Sequence, residues 1–185
     1  ADVCEKIAEQ AQRGGDMITN LRSFFSKREI DKDHLDLKNV LNDVMPLINA
    51  DARAAGIPLI VNAAAALPKM LGDAVQLQQV IINLTRNAVD AMKEGIRKQD
   101  GVIVETFTEG ETVGFSVTDH GHGISPQLVE SIFHPFVTTK KEGLGVGLAI
   151  SRTIVSAHGG KLTYHPNPGG GAVFKAAFPI MRTHE

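Results

Sequence analysis

Asp119-His-Gly-His-Gly-Ile124 decides how this chain of 185 residues is read, together with Gly143-Leu-Gly-Val-Gly-Leu148 after it and Asn83-Leu-Thr-Arg-Asn87 before it. Asp119 stands at the end of a β-rich run, with Gly121 and Gly123 just beyond. A carboxylate there can accept from an exocyclic amine such as that of adenine, and glycines beside it let backbone approach a flat ring. An ordinary strand-to-turn connection accounts for the same residues. His120 and His122 form a His-x-His pair, but no cysteine or carboxylate cluster completes a ligand set, and solvation at the surface accounts for them.

Gly143, Gly145 and Gly147 precede and enter a helix expected over residues 146–158. Unbonded N–H groups at a helix start, with no side chains in the way, suit a polyphosphate. This box follows a loop and not a strand, which argues against a dinucleotide-binding βα turn. Lys140 and Lys141 in the same loop could reach a terminal phosphate or simply be solvated, and the sequence leaves both open. Asn83 and Asn87, four apart on one helix, project from the same face. Two carboxamides beside an apolar stripe are costly without partners. Mg²⁺ and phosphate oxygens are suitable partners, and so is neighbouring backbone. Phe133 and Phe136 flank His134-Pro135 and are expected to anchor the loop by packing.

Outward from these boxes, residues 1–28 place Cys4, Ile7, Ala11, Gly14, Ile18, Leu21 and Phe25 at alternating spacings of three and four. That is a coiled-coil-like seam, which needs a partner helix; a helix lying on its own domain accounts for the same residues. The polar run 27–36 reads as a boundary. Leu37, Val40, Leu41, Val44, Leu47 and Ile48 predict an amphipathic helix running to Gly56. Short strands are expected at 57–61 and 69–71. Asp73, with Gln76 three residues on, predicts a capping box opening a helix over about residues 74–98. Its stripe is Leu77, Val80, Ile81, Leu84, Ala88, Ala91 and Met92. Runs 102–108 and 112–118 predict a hairpin, and Ser125-Pro126 a short helix. Residues 134–147 read as a mobile loop. Runs 161–165 and 172–178 form a closing hairpin around Pro-Asn-Pro-Gly-Gly-Gly. The order is α+β with largely antiparallel hairpins, not repeated βαβ units.

A net charge of −2 with no basic stripe argues against a nucleic-acid partner. The one cysteine, Cys4, excludes an intramolecular disulfide and makes a reducing, cytoplasmic compartment the expectation. No apolar run approaches the roughly 20 residues that span a bilayer, so no membrane contact is expected of this segment, whether its parent is soluble or membrane-anchored. Without an initial Met, the chain reads as the later part of something longer.

In family order, the Asn box (83–91), the Asp-x-Gly-x-Gly box (119–123), a Phe box (132–140), the second glycine box (143–148) and Gly169-Gly-Gly171 resemble the catalytic, ATP-binding domain of sensor histidine kinases. These belong to the gyrase, Hsp90, histidine kinase and MutL superfamily. Asn-Leu-Thr-Arg-Asn-Ala-Val-Asp-Ala, Pro-Phe-Val-Thr-Thr-Lys and Gly-Val-Gly-Leu-Ala-Ile-Ser-Arg-Thr-Ile-Val look most like the FixL-type oxygen-sensor kinases. The resemblance implies a two-layer α/β sandwich of the Bergerat type, with a mixed, mostly antiparallel sheet under helices, and ATP and Mg²⁺ as cofactors. It implies Asn83, Asn87 and Lys140 as catalytic residues and Asn87 as the Mg²⁺ ligand. The implied nucleotide contacts are Asn83, Asn87, Asp90, Asp119, Gly121, Gly123, Ile124, Phe136, Thr139 and Lys140, then Gly143, Leu144, Gly145, Val146, Gly147, Leu148 and Ala172. Asp119 would recognise adenine and residues 134–147 would be the lid. Ala172 departs from the Thr of many relatives, so a water-mediated adenine contact could be missing.

In the superfamily's hydrolases a Glu four residues before the metal-binding Asn acts as base on water. Asn83 stands there in this chain, so the resemblance implies phosphoryl transfer to a histidine instead. Residues 1–35 would be the second helix of a dimerisation and phosphoacceptor hairpin plus linker, and 36–185 the catalytic domain. None of the seven histidines fits the acceptor position, so the acceptor helix is expected to be absent from this piece. Expected partners are that helix, a response-regulator receiver domain and a second copy of the parent through the N-terminal helix. Two alternatives are a degenerate nucleotide-binding module without catalysis and a serine-directed kinase of the anti-sigma type.

Overall fold

The computed structural model describes residues 33–93, 97–140 and 143–181. The heptad seam expected over residues 1–28, and Lys141, lie outside the described residues. The first helix, α1 (Leu37–Ala54), opens on Asp36, whose Oδ1 accepts from the Lys38 N–H at 2.8 Å. Leu37, Val40, Leu41, Val44, Ile48 and Ala52 form its buried stripe. Gly56, at φ +67°, lies just past its end, as a left-handed stop requires. Leu47, expected in the stripe, is 43% exposed.

Helix α2 (Ala74–Met92) is capped as its sequence predicts, Asp73 Oδ1 accepting from the Gln76 N–H at 3.2 Å. The other half of the expected box differs: the Asp73 N–H is donated to Nε2 of His158, 2.9 Å away. The helix stops at Met92 and not near residue 98. Lys93 N–H bonds to the Asp90 carbonyl, a tightened last turn, and residues 98–100 form a separate 3₁₀ turn. Thr85 and Val89 join the expected buried stripe, while Ala91 is half-buried.

Five strands, β2 (Leu59–Asn62), β4 (Val102–Glu109), β5 (Thr112–Thr118), β6 (Lys161–Pro166) and β7 (Ala172–Pro179), form one sheet in the order β2-β4-β5-β7-β6. Both expected hairpins, β4–β5 and β6–β7, are present. The pair β2–β4 is parallel and the rest antiparallel. A parallel pair needs a crossover; here the intervening chain includes α2. The stretch expected to be linker contributes β1 (Asp33–Leu35), which pairs antiparallel with β3 (Met70–Gly72).

Alternation along the strands turns Val104, Val113, Phe115, Val117, Phe174, Ala176 and Phe178 inward, all buried. Burying each large apolar side chain is worth about 1.5–3 kcal/mol. Helix α2 packs on β4 and β5, α3 (Gly147–Ala157) on β6 and β7, and α1 against α2. The result is the two-layer sandwich. Residues 126–133 are consecutive turns and not the expected short helix. Their bonds step by three, Leu128 N–H to Ser125 O, Ser131 N–H to Leu128 O and His134 N–H to Ser131 O. No i-to-i+4 ladder forms, and the segment is instead pinned to the core by buried Ile132 and half-buried Leu128 and Phe133.

Candidate nucleotide site

Helix α2 is the rail on which the three sequence boxes meet. Asn83, Asn87, Asp90 and Ala91 lie at i, i+4, i+7 and i+8, one stripe of the helix surface. Three separate segments meet it: the start of α3 at Asn83, Lys140 at both Asn87 and Asp90, and Gly121 at Ala91. At the first, Asn83 Nδ2 donates to Ser151 Oγ at 2.8 Å. A methyl added to Gly147 would lie 2.6 Å from Asn83 Oδ1, so a side chain there would push the Asn83 amide from its place. At the far end a side chain on Gly121 would collide with the Ala91 carbonyl. Between them Lys140 Nζ reaches Asn87 Oδ1 at 3.0 Å and Asp90 Oδ2 at 2.7 Å. The rise along α2 from Asn83 to Ala91 is about 12 Å, a length suited to a base at one end and a phosphate chain at the other.

Asp119 is only 2% exposed. Its Oδ1 accepts from Gly121 N–H at 2.8 Å and from Ala172 N–H at 3.3 Å. Its own N–H donates to the Ala172 carbonyl, and Asn167 Nδ2 donates to its carbonyl at 2.9 Å. Gly171, at φ +100°, runs so near that a side chain there would strike that carbonyl. Oδ2 has no hydrogen-bond partner among the described residues. Burial raises the carboxyl above its ordinary value, outweighing the two backbone N–H groups and the nearby His122 and His120 that lower it. A buried acceptor held with one free oxygen is suited to an amine donor.

Asp90 behaves in the opposite way. Burial pushes its carboxyl up, but hydrogen bonds and charges from Lys140 and Lys93 together outweigh burial and hold it below its ordinary value. Lys93 takes Oδ1 at 2.7 Å while Lys140 takes Oδ2. Helix α3 opens on Val146 with no side-chain cap, leaving its first N–H groups free for an anion.

Among the other expected contacts, Val146 is buried, and Ile124, Leu144 and Leu148 are half-buried against the core. Ala172 is buried beside Asp119. Gly123 and Gly145 both adopt positive φ, and Gly143 N–H bonds to the Lys140 carbonyl. Thr139 is exposed. Phe133 packs edge-on against Phe174 at 6.3 Å, with the Arg152 guanidinium 5.7 Å from its ring centre, as an anchor should. Phe136 does not pack: it is 72% exposed, at φ +69°. His120 and His122 each set Nδ1 against a backbone carbonyl, Gly101 and Gly123 respectively. Sequence reasoning missed Ser151, Asn167 and Lys93. Ser151 was within reach, since it follows Gly147 by one helical turn and so shares its face.

The family model described as histidine kinase-, DNA gyrase B- and HSP90-like ATPase matches residues 72–182. The chain belongs to this family. It is 38% identical over 176 residues to the C4-dicarboxylate transport sensor protein DctS of Rhodobacter capsulatus, covering 95% of this chain and 27% of that protein. It is 36% identical over 175 residues to the sensor protein FixL of Bradyrhizobium diazoefficiens, covering 95% and 34%. Among solved structures, full-length ShkA in complex with AMPPNP superposes with a TM-score of 0.77 at 28% identity, covering 98% of this chain and 38% of that one. The catalytic domain of the histidine kinase ThkA gives 0.70 at 28%, covering 81% and 96%. The chain thus spans about a quarter to a third of the two curated relatives. It contains the ATP-binding catalytic domain of a sensor histidine kinase. No helix among the described residues is long and apolar enough to cross a membrane.

Proposed function

We propose that this domain passes the γ-phosphoryl group of ATP to a histidine on a dimerisation helix, and that the phosphoryl then moves to a receiver domain of a response regulator. One observation carries the reading: the three boxes converge on one stripe of α2, with a neutral amide at position 83. An amide tied to Ser151 is no base for water, which favours a nitrogen nucleophile from outside the site. The imidazole nitrogen forms the P–N bond as the bond from phosphorus to ADP breaks, and the imidazole sheds its proton. Such transfer asks for positioning and charge neutralisation more than for covalent help.

In this reading Asp119 Oδ2 accepts from the adenine amine, with Gly121, Gly123, Ile124 and Ala172 around the base. Asn83, Asn87, Asp90 and Lys140 face the phosphates, as do the residues from Gly143 to Leu148 at the start of α3. Phe136 and Thr139 sit on the lid. Asn87 and Asp90 fit a hard cation, because their oxygens already converge on one positive charge, the Lys140 ammonium. No cluster of three or more His, Cys, Asp or Glu exists among the described residues, so phosphate and water would complete the shell. Bound there, Mg²⁺ would neutralise phosphate charge. The catalytic domain then begins with β1 at Asp33, slightly before the boundary at residue 36 that the sequence suggests, and belongs to a cytoplasmic, dimeric parent.

The test mixes the 185-residue chain with a separate phosphoacceptor hairpin and γ-labelled ATP. Acid-labile label on the hairpin's histidine, lost with Asn87→Asp, is the expected result. Nucleotide binding without transfer to any hairpin would overturn it in favour of a regulatory module, and acid-stable label on serine in favour of a serine kinase.

A further inference from the structure

Lys140 is braced before it reaches α2. Its N–H donates to Thr138 Oγ1 at 3.0 Å, its carbonyl accepts from Gly143, and Phe136 N–H bonds across the loop to the Gly145 carbonyl at 2.9 Å. The loop is therefore internally tied and, among its described residues, presents Lys140 to the helix. Its exposed Phe136 supplies no apolar anchor. The ammonium meets an amide oxygen and a carboxylate oxygen on adjacent turns of α2, while Lys93 occupies the second carboxylate oxygen. Both oxygens Lys140 holds are of the hard type that a divalent cation selects. A divalent ion on Asn87 would stand beside two ammonium groups sharing one carboxylate. The half-exposed Lys140 pair is weak and exchangeable, so it is the partner that yields.

We propose that Lys140 is a resident counter-ion of a divalent-cation site formed by Asn87 and Asp90, and that metal and ammonium exclude each other there. In the nucleotide-free domain the ammonium ties the loop over residues 134–140 to α2. When metal arrives with nucleotide, the lysine is displaced and is free to meet the phosphates, so one event fills the site and releases the loop. This rests on the reading of Asn87 as a metal ligand given above.

Mn²⁺ alone, titrated into the nucleotide-free 185-residue chain and followed by electron paramagnetic resonance, reads the exchange without any reaction. Lys140→Met should bind Mn²⁺ about three- to fivefold more tightly than the unaltered chain, the equivalent of one surface ion pair. Asn87→Leu should abolish binding in both backgrounds. In the unaltered chain Mn²⁺ should also hasten tryptic cleavage after Lys140, a readout that does not depend on the variant's fold. Equal Mn²⁺ affinity with and without Lys140, or cleavage that ignores bound Mn²⁺, overturns the proposal. Absence of Mn²⁺ binding in both chains overturns the metal site and the exchange with it. Exchange without phosphoryl transfer to any hairpin would instead sink the kinase reading and leave this inference standing.

Discussion

Asn83 and Ser151 are joined by a 2.8 Å hydrogen bond that fastens α2 to the helix following the second glycine box. Asn83 is the donor, which points its amide nitrogen at α3. Ser151 is 1% exposed and Asn83 is half-buried, so the bond lies at the margin of the core.

Ser151→Ala leaves the Asn83 amide without its acceptor. For a half-buried amide the loss is that of one hydrogen bond, about 1 kcal/mol. The denaturant midpoint should fall accordingly with an unchanged slope, and affinity for ATP should fall with it, because the phosphate end of α2 loses its register against α3. Unchanged affinity in a destabilised variant would confine the bond to a structural role.

Asp119→Asn separates recognition from stability. The folded-state carboxyl titrates above its ordinary value of 3.8, chiefly through burial. Its contribution to stability is therefore fully present below pH 3.8 and is lost as pH rises through the raised folded value. Asparagine carries no charge to bury, and its oxygen can still accept from Gly121 and Ala172. Denaturation of the nucleotide-free variant at neutral pH should show equal or greater stability and a flatter acid dependence. Calorimetric ATP binding should weaken by at least about tenfold, the loss of one charge-assisted bond. Full affinity in a stable Asp119→Asn variant would remove Asp119 from adenine recognition.

What the sequence made legible follows from period and range. The stripes of α1 and α2 repeat every three or four residues, and the hairpins β4–β5 and β6–β7 alternate around glycine turns, so local pattern predicts them. The β1–β3 pair joins three residues to three others across more than thirty positions and leaves no pattern to read. Ser125-Pro126 is a sound helix start, yet the bonds that follow step by three, which composition alone does not distinguish. Asp119 and the asparagines were marked by their neighbours. The tie from Lys140 to Asn87 and Asp90 spans fifty residues or more, and nothing local encodes it. Leu47 and Phe136 look apolar enough to pack, and neither finds a face to pack on.

His158 couples the end of α3 to the start of α2. It is 5% exposed, with Nε2 accepting from Asp73 N–H at 2.9 Å and Nδ1 2.8 Å from the Ile154 carbonyl. The first bond requires a lone pair on Nε2, which places the ring proton on Nδ1 and lets it donate to Ile154. The ring also stands edge-on to Phe178 at 6.3 Å. His158→Ala removes the acceptor for the capping residue's own N–H and opens a cavity, for a combined cost of about 3 kcal/mol. Amide exchange should accelerate first in the opening turn of α2. Protection lost evenly across the domain would mean that the histidine acts through packing alone.

Asp90→Asn tests how much the paired lysines contribute. The Asp90 side chain is 36% exposed, so its ion pairs with Lys93 and Lys140 are screened and together amount to under about 1 kcal/mol. Burial opposes ionisation, but the two lysines prevail and the folded carboxyl titrates below 3.8. The stability this lends is present above 3.8 and is lost as pH falls through the lower, folded value. A chemical denaturation series should show the variant slightly weaker at neutral pH and low salt. The gap should narrow when salt screens the pairs and close in acid once both forms are neutral. A gap that persists unchanged in molar salt would show that Asp90 stabilises α2 through its hydrogen bonds and not through charge.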